Sequence, residues 1–329
     1  MSTEQINNYI NYLNCEQACI SSMLVQNGFN IETMWKQAGL ILCIIEGRIH
    51  ISPFFRSIST DLLENNNILI EERLYKKGEI PVLIQDIDKS VASGGFISVS
   101  VDSYYLEYYS PYYLKKHSYH MLEVTDSNDD YYKISDYPLG YHGEINKNKL
   151  IKSIYSLNKH FESVPIKTIS FKNNNNDNNK TKIDVKTILK DYSDIMSGKL
   201  IYDLKPYLNQ NNIDTYYVGL SSIPVIKEYI IELLKKDKSD ELYLEYIFRS
   251  LQQVSNSRFL LFKLLEYYNY YNASLFMDLY QNWTVCTNMF ARHYLKGDLQ
   301  NSYSRIEKRF DSLYELEQNV LEEVQKGLN

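Results

Sequence analysis

Cys15 is the first residue of this sequence whose type and position suggest chemistry. It stands in Asn14-Cys15-Glu16-Gln17-Ala18-Cys19-Ile20, where a polar stretch passes into an apolar segment with helical spacing. We therefore expect Cys15 at the N-terminus of a helix. There the unpaired backbone N–H groups and the positive end of the helix dipole stabilise a thiolate or an oxyanion. The alternative is a small buried hydrophobic residue, and Cys19, one turn further on, fits that alternative better.

A histidine and an aspartate further along the chain could complete such a site. His120 begins an apolar run at 120–124, and after a turn rich in Asp and Asn a second run at 131–135 leads to Asp136. This pattern predicts a β-hairpin that brings the ends bearing His120 and Asp136 side by side. A carboxylate in that place would accept the imidazole N–H and orient the ring. Taken singly, a histidine is often a packing residue and Asp before Tyr-Pro a turn former.

The elements that must position these residues differ between the two halves of the chain. In the first half, four more segments have strand character: 40–45, 67–74, 96–101 and 164–171. In the second half, apolar residues recur at helical spacing in five segments: 183–197, 223–236, 239–271, 273–295 and 299–326. We expect an α+β fold with a catalytic domain at 1–171, an Asn-rich linker at 172–181 and an all-α region at 182–329 that covers the cleft.

Composition and motifs exclude several classes of function. A net charge of −6 over 329 residues argues against a nucleic-acid partner, whose phosphates require clustered Lys and Arg. No Walker A motif, G-x-G-x-x-G motif or metal-ligand spacing occurs, so we expect neither a metal nor a cofactor. The start lacks the features of a signal peptide, and no long apolar run is present. We expect a cytoplasmic protein without a membrane partner, whose four cysteines are reduced.

Two groups of residues resemble known families. Cys15-Glu-Gln-Ala-Cys19 is similar to the Cys-Gly-x-Ala-Cys element of the papain-like peptidases that trim double-glycine leaders from bacteriocins, with Glu16 in place of the glycine. The segment from Ile97 to Leu106, with His117-x-x-His120 and Ile134-Ser-Asp136, resembles the N-terminal domain of the butirosin-biosynthesis acyltransferase family. The resemblance covers roughly residues 10–170. The chain is equally similar in kind to a related papain-like enzyme that forms amides in polythioamide (closthioamide-type) assembly.

The resemblance implies a papain-like fold and assigns roles to individual residues. The matching positions make Cys15 the nucleophile, His120 the base and Asp136 the acid that orients the base. Four residues become substrate-binding candidates: Asp102, Tyr104, Tyr105 and His117. For Asp102 the alternative is a hydrogen-bonded strand end. Papain-like sites often add a side-chain amide upstream of the cysteine to the oxyanion hole, and three residues are candidates for it: Asn14, Asn11 and Gln5.

The same resemblance implies an acyltransferase of antibiotic biosynthesis. An acyl or peptidyl carrier protein would present the substrate as a phosphopantetheinyl thioester, Cys15 would take the acyl group, and a small amine such as a polyamine or aminoglycoside would accept it. One alternative is a cysteine peptidase, which uses the same residues with water as acceptor. Another is a non-catalytic interaction protein with a papain-like core. The residues leave these alternatives open.

Overall fold

The computed structural model describes residues 6–56, 62, 69–161, 166–172, 184–199, 213–235, 241–296 and 303–328. Nine strands and eight helices lie in this described part, and the predicted α+β class is confirmed. The strands are β1 (Ile41–Ile45), β2 (Arg48–Ser52), β3 (Leu69–Tyr75), β4 (Ile97–Asp102), β5 (Tyr119–Ser127), β6 (Tyr131–Asp136), β7 (Tyr141–Asn146), β8 (Ile166–Lys172) and β9 (Ile213–Val218). The helices are α1 (Cys15–Gln26), α2 (Ile80–Ala92), α3 (Lys147–His160), α4 (Val185–Met196), α5 (Ser222–Lys235), α6 (Glu241–Tyr267), α7 (Ser274–Lys296) and α8 (Tyr303–Leu328).

The chain divides into two compact units whose boundaries differ from the predicted domains. The first unit combines Met1–Met34 with Ile58–Thr181, and the second combines Trp35–Ser57 with Lys182–Asn329. The predicted catalytic domain includes Trp35–Ser57. The structure places this segment in the second unit because its strand β1 pairs with β9. The predicted linker, 172–181, lies outside the described residues apart from Lys172, the last residue of β8.

The first unit is built on a six-stranded antiparallel sheet of order β3-β8-β4-β5-β6-β7. Leu122 and Val124 of β5 belong to a core shared with α2 and α3. Glu123, which lies between them, accepts a hydrogen bond from Ser22 of α1 at 3.0 Å. Successive side chains of a strand point to opposite faces. Helix α1 therefore packs on the face of the sheet opposite α2 and α3.

The predicted hairpin is formed by β5 and β6 and is confirmed. Asn128 sets its turn, because the side-chain oxygen accepts hydrogen bonds from the backbone N–H groups of Asp130 at 3.0 Å and Tyr131 at 2.8 Å. The strands pair in antiparallel register with Glu123 opposite Ser135. On its other side β5 pairs with β4, so His120 begins a strand that is hydrogen-bonded along both edges.

The second unit contains α4–α8 together with a three-stranded sheet of order β2-β1-β9. The five predicted helices are confirmed to within a few residues. The prediction of an all-α second half is wrong, because β9 lies there and completes this sheet. The helices pack around buried aromatic side chains such as Phe276, Trp283 and Phe310. None of the helices in the described part is long and apolar enough to span a membrane.

Candidate functional site

Cys15 is the first residue of α1, and the sequence before it explains why the helix begins there. The Asn14 side chain accepts a hydrogen bond from the Gln17 backbone N–H at 2.8 Å, and the Gln17 side-chain oxygen accepts one from the Asn14 N–H at 3.1 Å. This reciprocal pair is a capping box, which starts the helix without consuming the N–H groups nearest Cys15. The half-buried Cys15 thiol therefore lies at the positive end of the helix dipole.

The structure brings His120 and Asp136 together at one end of the hairpin. The imidazole Nε2 lies 2.7 Å from the Asp136 Oδ2, and both side chains are buried. A carboxylate only accepts, so this hydrogen bond places a proton on Nε2 and leaves Nδ1 for a second partner. The Cys15 thiol also interacts with the imidazole. His120 thus interacts with both the Cys15 thiol and the Asp136 carboxylate.

The protonated form of His120 is stabilised by its two partners. Burial favours the neutral ring, but the hydrogen bonds to Asp136 and Cys15 and their negative charges outweigh it and raise the pKa of His120 to about 10. The imidazolium therefore persists at neutral pH. A cation beside a cysteine favours the thiolate, which is the nucleophilic form of the thiol.

Tyr108 also contacts Asp136, and sequence reasoning missed it. Its hydroxyl donates a hydrogen bond to the Asp136 Oδ2 at 2.9 Å, on the oxygen that His120 already uses. The other oxygen, Oδ1, is buried and has no hydrogen-bond partner in the described part of the chain. Burial and the adjacent carboxylate raise the pKa of Tyr108 above the ordinary value for tyrosine. Six tyrosines lie between β4 and β5, and nothing in their spacing marks this one.

Asp102 is fully buried and bonded within the protein. Its Oδ1 accepts hydrogen bonds from the backbone N–H groups of Tyr104 and Ser118, both at 3.1 Å. Its Oδ2 accepts from the Ser156 hydroxyl and from the His117 Nδ1, both at 2.6 Å. These contacts match the alternative prediction for Asp102, which is a hydrogen-bonded strand end. Both oxygens of this substrate-binding candidate are therefore already hydrogen-bonded within the protein.

The remaining substrate-binding candidates surround Asp102. The His117 ring stacks on Tyr104 with the centroids 4.3 Å apart, and on His160 at 3.5 Å. Tyr105 meets the Tyr104 ring edge to face at 5.1 Å. The His117 side chain keeps 32% of its surface exposed. These rings form one cluster at the end of β4, and none of them is bonded to the Cys15–His120–Asp136 group.

The three oxyanion candidates have different surroundings. Asn14 directly precedes Cys15, and its side-chain oxygen is engaged in capping α1. Asn11 is an exposed residue within a short 3-10 turn. Gln5 lies outside the described residues. The start of α1 also offers backbone N–H groups beside Cys15.

An ion-paired lysine lies near Cys15. The Lys167 ammonium of β8 contacts Glu16 at 2.8 Å and Glu72 of β3 at 3.2 Å, and is 12% exposed. Burial disfavours the charge, but the two carboxylates outweigh it and raise the pKa of Lys167. Tyr119, at the start of β5, lies within electrostatic range of Cys15, Glu16 and Glu72. The neighbourhood of Cys15 thus holds two carboxylates against one ammonium.

Cys19 and Glu123 lie beneath the site, between α1 and the sheet. Burial raises the pKa of the Cys19 thiol well above the ordinary value, as do the charges of Glu123 and Cys15. Cys19 is therefore a neutral, packed thiol at physiological pH. Burial raises the pKa of Glu123 to about 8. The hydrogen bond from Ser22 lowers this pKa but offsets only part of the effect of burial. One Glu123 oxygen, Oε1, finds no hydrogen-bond partner within the residues that the structure describes.

The buried Glu123 makes the stability of this unit depend on pH. Between pH 4.5, the ordinary pKa of Glu, and about pH 8, the folded protein holds a proton that the unfolded chain has released. Stability therefore falls as pH rises through this window. Glu123→Gln cannot ionise and keeps an oxygen for Ser22. We expect it to leave the melting temperature near pH 5 almost unchanged and to raise it by about 5 °C at pH 8–9.

Thermal unfolding followed by circular dichroism from pH 5 to 9 measures this difference. The exposed Glu144 supplies the control, Glu144→Gln, for which we expect no such pH dependence. A stability change in Glu123→Gln that is the same at every pH would show that Glu123 is not neutralised on folding.

Comparison with known proteins leaves the site to be interpreted from its own geometry. No model of a protein family matches the chain, and no curated protein matches it significantly. Among the described residues, no group of three or more His, Cys, Asp or Glu side chains is arranged to hold a metal ion. The arrangement that remains is a cysteine at a helix start, an imidazole beside its sulfur, and a buried carboxylate behind the imidazole.

Proposed function

We propose that this protein is a cysteine-dependent acyltransferase with a papain-like catalytic unit, which forms an amide from an acyl thioester and an amine. The observation that carries the proposal is the position of His120, which interacts with the Cys15 thiol and donates to the buried Asp136. A helix-start cysteine paired with a carboxylate-supported imidazole is suited to nucleophilic attack on an acyl carbon.

In the first step the Cys15 thiolate attacks the carbonyl carbon of a thioester. The new carbon–sulfur bond produces a tetrahedral oxyanion, which backbone N–H groups at the start of α1 can stabilise. Collapse of this intermediate breaks the bond to the donor sulfur. The His120 imidazolium gives its proton to the departing thiolate, leaving an acyl-enzyme and a neutral imidazole.

In the second step the neutral amine attacks the acyl-enzyme. His120 takes a proton from the attacking nitrogen as the carbon–nitrogen bond forms. The Cys15 sulfur then leaves as a thiolate, which restores the thiolate–imidazolium pair and releases the amide. Asp136 accepts the Nε2–H throughout, so that Nδ1 is left to face the reaction.

The charges beside Cys15 support a cationic acceptor. Glu16 and Glu72 both approach the Lys167 ammonium, so this neighbourhood already accommodates a primary ammonium group and carries one net negative charge. A polyamine or an aminoglycoside presents such groups. A phosphopantetheinyl carrier protein remains the proposed donor, as the family resemblance implies.

The ratio of amide to free acid tests transfer against hydrolysis. Water at about 55 M competes for any acyl-enzyme, so a transferase must hold the amine in line and limit the access of water. We expect a thioester substrate to give mainly amide when a polyamine or aminoglycoside is present, measured by mass spectrometry of the products. Free acid alone with every amine, together with cleavage of peptides, would identify a peptidase instead.

Glu16→Gln refines this test. It should raise the KM for a cationic amine severalfold while leaving the KM for a neutral amine unchanged, because one of the two carboxylates is lost. Glu71 is adjacent to Glu72 on β3, where successive side chains point to opposite faces. Glu71→Gln is therefore the matched control, and an equal effect of both variants would mean that general surface charge, rather than this site, attracts the amine.

A further inference from the structure

We propose that Tyr108 is a positioning residue for the Asp136–His120 pair, held in place by a loop that Asp102 closes. The inference deepens the proposed function and rests on it for its catalytic meaning. Tyr108 would touch neither substrate nor the reacting sulfur. It would act through Asp136 on the imidazole that serves Cys15.

The first support is the sharing of one carboxylate oxygen. Asp136 is completely buried, and Oδ2 accepts both the His120 Nε2–H at 2.7 Å and the Tyr108 O–H at 2.9 Å, while Oδ1 has no hydrogen-bond partner among the described residues. A buried carboxylate needs hydrogen-bond donors to stay ionised. Among the described residues Asp136 has two such donors, and Tyr108 is one of them. Its hydroxyl binds the same carboxylate oxygen as His120.

The second support is the rigidity of the Tyr108 ring. It lies flat on Tyr141 with the ring centroids 3.9 Å apart and the planes at 2°. Tyr141 is the residue of β7 directly paired with Asp136 of β6, so the supporting ring belongs to the same sheet as the carboxylate. Because burial and the Asp136 charge raise the pKa of Tyr108, its hydroxyl remains a donor over the whole working pH range.

The third support is the closure of the loop that carries Tyr108. Residues 103–118 connect β4 to β5, and the Ser103 N–H donates to the Ser118 carbonyl at 2.9 Å where the loop begins and ends. Asp102 joins both ends, since its Oδ1 accepts from Tyr104 near the start and from Ser118 at the end. These contacts hold both ends of the loop together, which gives the buried Asp102 a structural role in positioning Tyr108.

The expected consequence of losing the hydroxyl follows from charge. Without the Tyr108 donor, the ionised Asp136 is less stable in its buried site, and the proton on His120 can pass to the carboxylate. Both groups are then neutral, and no cation remains beside Cys15. The thiolate would form only at higher pH.

The rate of Cys15 alkylation by iodoacetamide, measured from pH 4 to 10, tests this consequence and needs no acyl substrate. We expect Tyr108→Phe to move the acid limb of the profile upward by about one pH unit, and to lower kcat/KM for acyl transfer about tenfold. The control is Tyr113→Phe in the same loop, whose hydroxyl donates to the exposed Glu107 at 3.1 Å. That variant should match the wild type in both measurements.

A double-mutant cycle separates positioning from a general loss of structure. If Tyr108 acts through Asp136, Tyr108→Phe should add nothing to Asp136→Asn in the alkylation profile. Additive effects, or a Tyr108→Phe profile identical to the wild type, would overturn the inference, and a melting temperature checks that each variant is folded. The alkylation assay also distinguishes the role of Tyr108 from the acyltransferase function. If the profile of Tyr108→Phe is altered but the protein transfers no acyl group, the proposed function is refuted and the role of Tyr108 is still supported.

Discussion

Cys15→Ala is expected to abolish acyl-enzyme formation, whereas Cys19→Ala should leave it largely intact. Cys15 lies at the start of α1 and interacts with the His120 imidazole, the arrangement that a nucleophilic cysteine requires. Cys19 lies one turn deeper and is buried, and the raised pKa of its thiol keeps it protonated. The two cysteines differ in environment within one helix, which makes Cys19→Ala a matched control.

Intact-protein mass spectrometry after incubation with an acyl thioester measures the outcome. A mass increase equal to one acyl group should appear in the wild type and in Cys19→Ala and be missing in Cys15→Ala. Peptide mapping of the wild-type adduct then locates the modified residue. An acyl group found on Cys19 would refute the assignment of the nucleophile.

His120→Ala should lose nearly all turnover, and Asp136→Asn should lose about a hundredfold or more while remaining folded. Alanine leaves no group to move the proton. The amide introduced by Asp136→Asn can present an N–H where a carboxylate oxygen was, which disfavours the tautomer with a proton on Nε2. His117→Ala is the control and should be mild, because His117 bonds to Asp102 and not to the catalytic group.

The pH dependence of the imidazole distinguishes the role of Asp136. Burial lowers the pKa of His120, and the Asp136 hydrogen bond and charge help to raise it to about 10. The stabilisation from this pair is fully present below about pH 6.5 and is lost as pH rises through about 10. In Asp136→Asn the pKa of His120 should fall by several pH units, which an NMR titration of the imidazole resonances measures. An unchanged titration would show that Asp136 does not support the imidazolium.

Local sequence was sufficient for the elements around the site. Asn14 and Gln17 at a capping spacing, followed by apolar residues, are enough to begin a helix at Cys15. The apolar run that begins at His120 and the turn rich in Asp and Asn are enough for the β5–β6 hairpin. These features depend on residues near each other in the chain. For the same reason the five long helices of the second unit were predictable.

Only the tertiary structure decided which distant side chains meet. Strand β9 is rich in strand-forming residues, but it stands alone among helical segments and its partner β1 lies about 170 residues away. The helical periodicity on both sides of β9 therefore predicts an all-α second half. The hydrogen bond of Tyr108 to Asp136, the bonding of Asp102 to Ser156 and the unpartnered Glu123 oxygen are also long-range. Apolar periodicity indicates which face of an element is apolar. It does not indicate which polar groups of other elements will lie against that face. By itself, therefore, the sequence determined the long helices, the β5–β6 hairpin and the choice of three candidate catalytic residues, whereas tertiary packing decided β9 and the contacts around those residues.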